Sequence, residues 1–248
     1  MGLKYKEKYK VAFYESDVNK NMKLSDILAL ALQISGEQSF RLNRSDEWIW
    51  ENYHVFWAVI EHDIDIVRFP KFSETITIET EATSYNKFFC YRDFWIKDAQ
   101  GETLIEINST WVIMDKDTRK VKRVNDKLVE PYEAERISEI IRPHKFEVLD
   151  DSIHYNVKYP IRFSDLDING HVNNAKYYDW AVDQLSFDFR MKHQAKKVYI
   201  RYNHEIRYGE QAYVEPLFDL KDNKSFHVIR KDNVDCANIE IEWAPLAD

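Results

Sequence analysis

Apolar residues recur along this chain with two periods, and the two periods follow each other in the same order twice. Residues 5–14 alternate polar and apolar positions, as a half-buried strand does. From Leu24 to about Leu42 the spacing lengthens. Ile27, Leu28, Leu30, Ala31, Ile34 and Phe40 fall at helical intervals, and Ser25 or Asp26 stands where a cap would open the helix. Runs rich in Val, Ile, Thr and aromatics follow at 55–69, 75–84, 88–97 and 103–114 and predict strands. Asp98, Ala99, Gln100 and Gly101 make a turn between antiparallel neighbours.

The second half repeats the plan, with a strand over 154–163 and a helix over 175–192. Tyr177, Tyr178, Ala181, Val182, Leu185 and Phe189 share one face of that helix. Strands are predicted at 198–208, 212–220, 226–231 and 238–243. The charged stretch between the halves carries Pro131 and Pro143 and predicts a linker with a short helix at 133–141. The expected organisation is a module over 1–120, a linker over 121–150 and a module over 151–248. A helix followed by antiparallel strands is an α+β plan.

Short strings strengthen the repeat. Residues 17–24 read Asp-Val-Asn-Lys-Asn-Met-Lys-Leu and residues 167–174 read Asp-Ile-Asn-Gly-His-Val-Asn-Asn. His171 thus replaces Asn21, so only the second copy keeps a titratable imidazole. Residues 60–66 also align with 200–206, which sets Asp65 opposite Glu205.

Composition narrows the function. A formal charge of −8 disfavours a general nucleic-acid binder. Five glycines and the absence of a phosphate-loop motif argue against nucleotide binding. Cys90 and Cys236 form no CxxC pair, which disfavours a zinc site or a disulfide framework and fits a reducing, cytoplasmic setting. No apolar run reaches the length of a signal peptide or a membrane span. No cofactor or metal is expected.

The second octet lies just before a predicted helix, where unpaired N–H groups favour developing negative charge. His171 is the side-chain type whose reference pKa sits near neutrality, a carboxylate such as Glu205 acts as base or holds the imidazole, and Asn169 offers an amide. These parts suit attack of activated water on an acyl carbonyl. Asp and Asn ahead of a helix also serve simply as caps and turn formers. If 198–208 is one strand, His204 and Glu205 face opposite sides of it.

Residues 164–177, Ser-Asp-Leu-Asp-Ile-Asn-Gly-His-Val-Asn-Asn-Ala-Lys-Tyr, closely resemble the D-L-D-x-N-x-H-V-N-N-x-K-Y string of the acyl-acyl carrier protein thioesterases of plants and bacteria. Phe56-Trp-Ala-Val-Ile, Arg92-Asp-Phe-Trp and residues 111–119 also look like motifs of that family. The resemblance implies a double hotdog fold, in which each long helix is wrapped by an antiparallel sheet. It carries over Asp167, Asn169 and His171 as catalytic positions and matches Glu205 to a later glutamate. Plant members often have a cysteine directly after that glutamate. Here the position is Ile206, which excludes a covalent cysteine route.

The resulting expectation is hydrolysis of fatty acyl thioesters carried on acyl carrier protein, with the acyl chain in the N-terminal module. An acyl-CoA thioesterase and a non-catalytic acyl-binding sensor are the alternatives. Because the carrier is acidic, Arg190, Lys192, Lys196, Lys197 and Arg201 are the expected docking residues. Either a monomer or a homodimer is compatible with a duplicated module.

Overall fold

The computed structural model describes residues 2–146, 157–219 and 223–246. The chain divides into two compact units, one of Met1–His62 with Val67–Pro143 and one of Asp63–Ile66 with His144–Asp248.

In the first unit β1 (Lys4–Lys10) precedes helix α1 (Leu24–Arg41), helix α2 (Asp46–Tyr53) and strands β2 (Val55–Ile66), β3 (Thr75–Tyr85), β4 (Phe89–Lys97) and β5 (Thr103–Asp115). The strands lie in the order β2-β5-β4-β3-β1, and α1 packs on β1 and β3. Leu24, Ile27, Leu28, Ala31, Ile34 and Gln38 bury one stripe of α1 at helical spacing. Each Ile or Leu so buried contributes roughly 1.5–3 kcal/mol. The helix lies within a residue of the range its periodicity predicts. Its cap differs: Lys23 is the N-cap, without a side-chain bond, and Ser25 is buried inside the first turn.

Residues 121–143 belong to this unit as well. Strand β6 (Val121–Lys122), the short helix α3 (Asp126–Val129) and strand β7 (Glu135–Arg136) cover its surface. Val124, Leu128 and Val129 join Ile49, Val55 and Ile113 in one buried cluster. The helix expected at 133–141 is absent. There β7 pairs in parallel with Ser84 and Tyr85 of β3, and the Ile137 amide bonds to the Tyr85 carbonyl at 2.9 Å. Sheet pairing satisfies the backbone that a helix would otherwise have satisfied internally. Residues 147–150 of the expected linker lie outside the described residues.

The second unit holds β8 (Val157–Tyr159), α4 (Asn174–Val182), α5 (Phe187–Lys192), β9 (His193–Tyr202), β10 (Ala212–Asp219), β11 (Lys224–Lys231) and β12 (Val234–Pro245). Its strand order, β9-β12-β11-β10-β8, is that of the first unit element for element. Helix α4 packs on β10, β11 and β12. Each unit is a helix against an antiparallel sheet, the α+β, double hotdog plan. The expected strand residues 154–156 and Leu220 lie outside the described residues.

Several elements differ from the periodicity: β1 ends at Lys10 and β8 at Tyr159, short of the expected 14 and 163, and α2 lies where no helix was expected. The helix expected over 175–192 is broken after Val182, where Gln184 Nε2 donates to the Trp180 carbonyl at 3.0 Å and Ser186 Oγ caps a new helix by accepting the Phe189 amide at 3.2 Å. Asp and Ser compete with helical backbone bonds and favour caps, so the chain restarts there although the apolar spacing runs on. The strand expected over 198–208 starts earlier and stops at Tyr202, because the Asn203 and His204 amides both turn to the Cys236 carbonyl, at 2.8 and 3.2 Å. Among the described residues no helix is long and apolar enough to cross a membrane.

Candidate active site

The second octet folds into a closed loop because its aspartate is matched to its amides. Asp167 Oδ1 accepts the Asn169 N–H at 2.8 Å and the His171 N–H at 3.3 Å. The Asp167 N–H donates to the His171 carbonyl at 2.8 Å, and the Gly170 N–H to the Asp167 carbonyl at 3.0 Å. Gly170 takes φ +77°, which a residue without Cβ adopts cheaply. Asp167 therefore fixes where His171 leaves the backbone and does so through main-chain amides. Asn169 is exposed at the loop tip. Asn173 then caps α4, its side chain accepting the Ala175 amide at 2.9 Å.

His171 Nε2 lies 3.1 Å from Glu205 Oε2, with the His171 side chain 14% exposed and that of Glu205 38%. Glu205 is delivered by the loop after β9 and not by a strand, so strand alternation does not govern it or His204. That loop is anchored below by Ile206, which is fully buried and whose carbonyl accepts the Val172 amide at 2.8 Å. An isolated antiparallel bridge between His171 and Arg207 closes the same spot. The buried Tyr177 hydroxyl of α4 is hydrogen-bonded to the main chain of Ile206, and burial raises its pKa. Arg207 Nη2 stands 4.0 Å from Glu205 Oε2. An imidazole and a carboxylate in hydrogen-bond reach, both open to solvent at one edge, can together take a proton from water.

Asp165 joins neither group: its Oδ2 accepts the Arg162 amide at 2.8 Å. Among the described residues no cluster of three or more His, Cys, Asp or Glu is arranged to hold a metal ion.

The first unit builds the same loop without the chemistry. Asp17 Oδ1 accepts the Asn19 and Asn21 amides at 2.9 Å each, and the Met22 amide meets the Pro70 carbonyl at 2.8 Å, as Val172 meets Ile206. Asn21 bridges Lys71 as His171 bridges Arg207. Counting from these bonds, the counterpart of Glu205 is Phe69, not Asp65. The alignment of 60–66 with 200–206 is thus out of register by four residues: the connections are alike, the Val67 and Arg68 amides meeting the Leu104 carbonyl as the Asn203 and His204 amides meet that of Cys236. Asn21 Oδ1 accepts from Lys71 Nζ at 2.6 Å, and Phe69 is buried. Both members of the titratable pair are missing from this copy.

The five basic residues expected to dock a carrier do not stand as one unpaired face. Lys197 Nζ lies 3.0 Å from Asp65 Oδ1 and 3.6 Å from Asp63 Oδ1, and Arg190 Nη1 lies 3.5 Å from Asp183 Oδ1. Arg201 Nη2 donates to the His144 carbonyl at 2.5 Å. Lys192 and Lys196 are exposed, Lys196 at an irregularity in the β9–β12 pairing.

Sequence reasoning missed Tyr177, Arg207, Glu210 and Lys231, which all touch the loop that carries Glu205. A signal for Glu210 exists: Lys71 and Glu74 share the spacing of Arg207 and Glu210, and each glutamate accepts the amide of the basic residue, at 2.8 and 2.7 Å.

Known proteins share this architecture. A family model described as the acyl-ACP thioesterase N-terminal domain matches residues 2–132, and the corresponding C-terminal domain matches residues 150–245. The oleoyl-acyl carrier protein thioesterase of Coriandrum sativum is 28% identical over 84% of this chain and 61% of its own length. The palmitoyl-acyl carrier protein thioesterase of Arabidopsis thaliana is 23% identical over 96% of this chain and 60% of its own. The chain thus spans about three fifths of the length of these curated relatives. A crystal structure assigned as an oleoyl thioesterase from Lactobacillus plantarum superposes with a TM-score of 0.92 at 34% identity, covering 100% of this chain and 98% of that one. The 12:0-ACP thioesterase of Umbellularia californica shares the fold, with a TM-score of 0.86 at 18% identity over 99% of each chain.

Proposed function

This chain belongs to the acyl-ACP thioesterase family, and from that membership and the pairing of His171 with Glu205 we propose that it hydrolyses fatty acyl thioesters carried on acyl carrier protein. The observation that carries the reading is the 3.1 Å contact between His171 Nε2 and Glu205 Oε2 in the one copy of the loop that has both groups. Water held between them gives up a proton to the pair and its oxygen attacks the thioester carbonyl carbon. The carbon–sulfur bond then breaks, the thiolate takes a proton, and a free fatty acid and a thiol leave. Asn169 serves the carbonyl oxygen as negative charge gathers on it, with one helix-start amide other than those of Ala175 and Lys176, which Asn173 already holds. Asp167 holds the loop. Ile206, beside Glu205, offers no nucleophile, so no acyl-enzyme forms there.

We assign the acyl chain to the first unit, where Asn21 and Phe69 leave no titratable pair. A reducing compartment such as the cytoplasm suits the two free cysteines. Of the basic residues near α5, exposed Lys192 and Lys196 are the ones we assign to attraction of the acidic carrier. Reversing Lys196 to Glu is expected to raise KM for the carrier substrate at low salt, with the difference fading as salt increases.

The test of the activity is release of free fatty acid from acyl-carrier and acyl-CoA substrates matched in chain length. His171→Ala and Glu205→Gln are expected to lower kcat by ~10²–10⁴-fold, the usual worth of general acid–base help. Wild-type turnover in His171→Ala removes the assignment. Preference for the CoA ester moves the substrate class, and binding without release makes the chain an acyl sensor.

A further inference from the structure

The loop that presents Glu205 is held by a charged contact reaching across from a neighbouring strand. Glu210 Oε2 accepts the Arg207 amide at 2.7 Å, and Glu210 Oε1 accepts from Lys231 Nζ, at the end of β11, at 2.9 Å. The same ammonium comes within 3.5 Å of the Glu205 carbonyl oxygen. Lys231 and Glu210 thus grip the main chain on both sides of Ile206, at Glu205 and at Arg207. Arg207 in turn bridges His171. We propose that Lys231 and Glu210 act as a strut that sets the Glu205 carboxylate against the His171 ring, which makes both of them positioning residues of the hydrolysis proposed above.

The first unit supplies the contrast. Glu74 makes the equivalent bond to the Lys71 amide, at 2.8 Å, so the turn itself belongs to the fold and not to catalysis. The cation on Glu74, however, is Arg68, from within the turn, at 2.7 and 2.9 Å. By the register of the two copies Arg68 corresponds to His204. Counting on from the two glutamates, Thr77 and Tyr213 are equivalent and pair with Lys97 and Arg230, so the counterpart of Lys231 is Asp98. The copy without a titratable pair has an anion there and a local cation. In both copies the cation also reaches the carbonyl at the Glu205 position, Arg68 Nη1 that of Phe69 at 3.3 Å and Lys231 Nζ that of Glu205 at 3.5 Å, but in the copy with the pair it comes from the neighbouring strand.

Electrostatics agree with the geometry. Burial alone would raise the Glu210 carboxyl, but the Arg207 amide and the Lys231 ammonium outweigh it and hold the group below its ordinary range. Glu210 is therefore ionised at neutral pH, where its contacts to the Arg207 amide and Lys231 hold.

The test compares Lys231→Met, Lys231→Arg and Glu210→Gln in the full chain, with Arg68→Met as the control in the first unit. Three quantities are read: kcat and KM for the acyl-carrier substrate, the pH–rate profile, and the titration midpoint of the His171 imidazole by NMR without substrate. Lys231→Met is expected to lower kcat at least about tenfold with KM within about twofold, since a misplacement of about 1 Å costs up to ~10²-fold. It is also expected to shift the His171 midpoint, which senses the distance to Glu205 and, beyond it, Arg207. Lys231→Arg is expected to recover most of the loss, and Arg68→Met to change the melting temperature alone. Should Lys231→Met not fold, Glu210→Gln keeps the acceptor for Arg207, weakens the hold on Lys231, and gives the same reading. An unchanged kcat and an unchanged His171 midpoint in folded Lys231→Met or Glu210→Gln overturn the strut. If the wild type releases no fatty acid from any thioester, the proposed function fails by itself, and the NMR midpoint still decides the strut.

Discussion

Asn21 and Phe69 occupy in the first unit the places of His171 and Glu205 in the second, and this defines what one residue can restore. An imidazole put at position 21 would sit where Lys71 Nζ now lies 2.6 Å from Asn21 Oδ1, with Phe69 in place of its carboxylate. A nearby ammonium disfavours the imidazolium and nothing there replaces Glu205. Asn21→His in a His171→Ala background is therefore expected to leave thioester release at the level of His171→Ala. Recovery to within about tenfold of wild type, short of the ~10²–10⁴-fold worth of acid–base help, would mean that the first loop needs no carboxylate. At this scale the sequence was legible where chemistry is local. The octet with His171 reads directly as a tight Asx-type loop, because Asp167 bonds residues two and four positions on. Glu205 was reached by resemblance, and its supposed counterpart Asp65 was wrong, because an alternating strand pattern can slip by four residues without changing which side chains face the core. Lys231 was invisible, being brought to Glu205 only by the pairing of β10 with β11.

The two loops, as elements, differ at one position whose cost can be measured. Both put a residue in the left-handed region, Gly170 at φ +77° and Lys20 at φ +60°. The Lys20 carbonyl accepts the Phe72 amide at 2.8 Å, a bond that any residue keeps, so the side chain is not required by it. A residue with Cβ held there costs ~1–2 kcal/mol, part of which glycine gives back through its freer unfolded chain. Lys20→Gly is expected to stabilise the protein by up to about 1 kcal/mol, and Gly170→Lys to destabilise it by about as much, in urea unfolding. A destabilised Lys20→Gly would show that the lysine contributes more than its backbone angle. Among the larger elements, α1 matched its predicted range because one long buried stripe decides it. The second helix did not, since the Ser186 cap and the Gln184 bond to Trp180 end it inside an unbroken apolar pattern. The helix expected at 133–141 failed for a different reason: an open strand position beside Ser84 and Tyr85 captured the segment.

At the scale of the molecule, among the described residues each unit buries one histidine away from the proposed chemistry, and both bear on how stability responds to acid. His62 and His227 are both buried, and burial depresses their pKa to about 4 and about 3. Above pH 6.5 both are neutral in the folded and unfolded chain, and their contribution is complete. As pH falls below 6.5 the unfolded chain binds two protons that the folded chain refuses, and stability is lost toward the folded values. Asp93 acts the other way. Burial, then Glu106 and Glu81, raise its carboxyl to about 6, so between its ordinary 3.8 and 6 the folded chain is the one that holds the proton. Its contribution is full below 3.8 and lost as pH rises through 6. Other carboxyls shift both ways, upward at Asp46 and Asp63 and downward at Asp115, Glu74, Glu79 and Glu210. Between pH 6 and 4 His62, His227 and Asp93 together take up near one proton on unfolding, a loss of about 1.4 kcal/mol per pH unit from these three groups. Asp93→Asn removes the opposing group. It is expected to raise stability at pH 7 and to steepen the acid loss to about 2.3 kcal/mol per unit, read from urea midpoints at pH 6, 5 and 4. Equal slopes in the two proteins would mean that Asp93 keeps an ordinary carboxyl in spite of its burial.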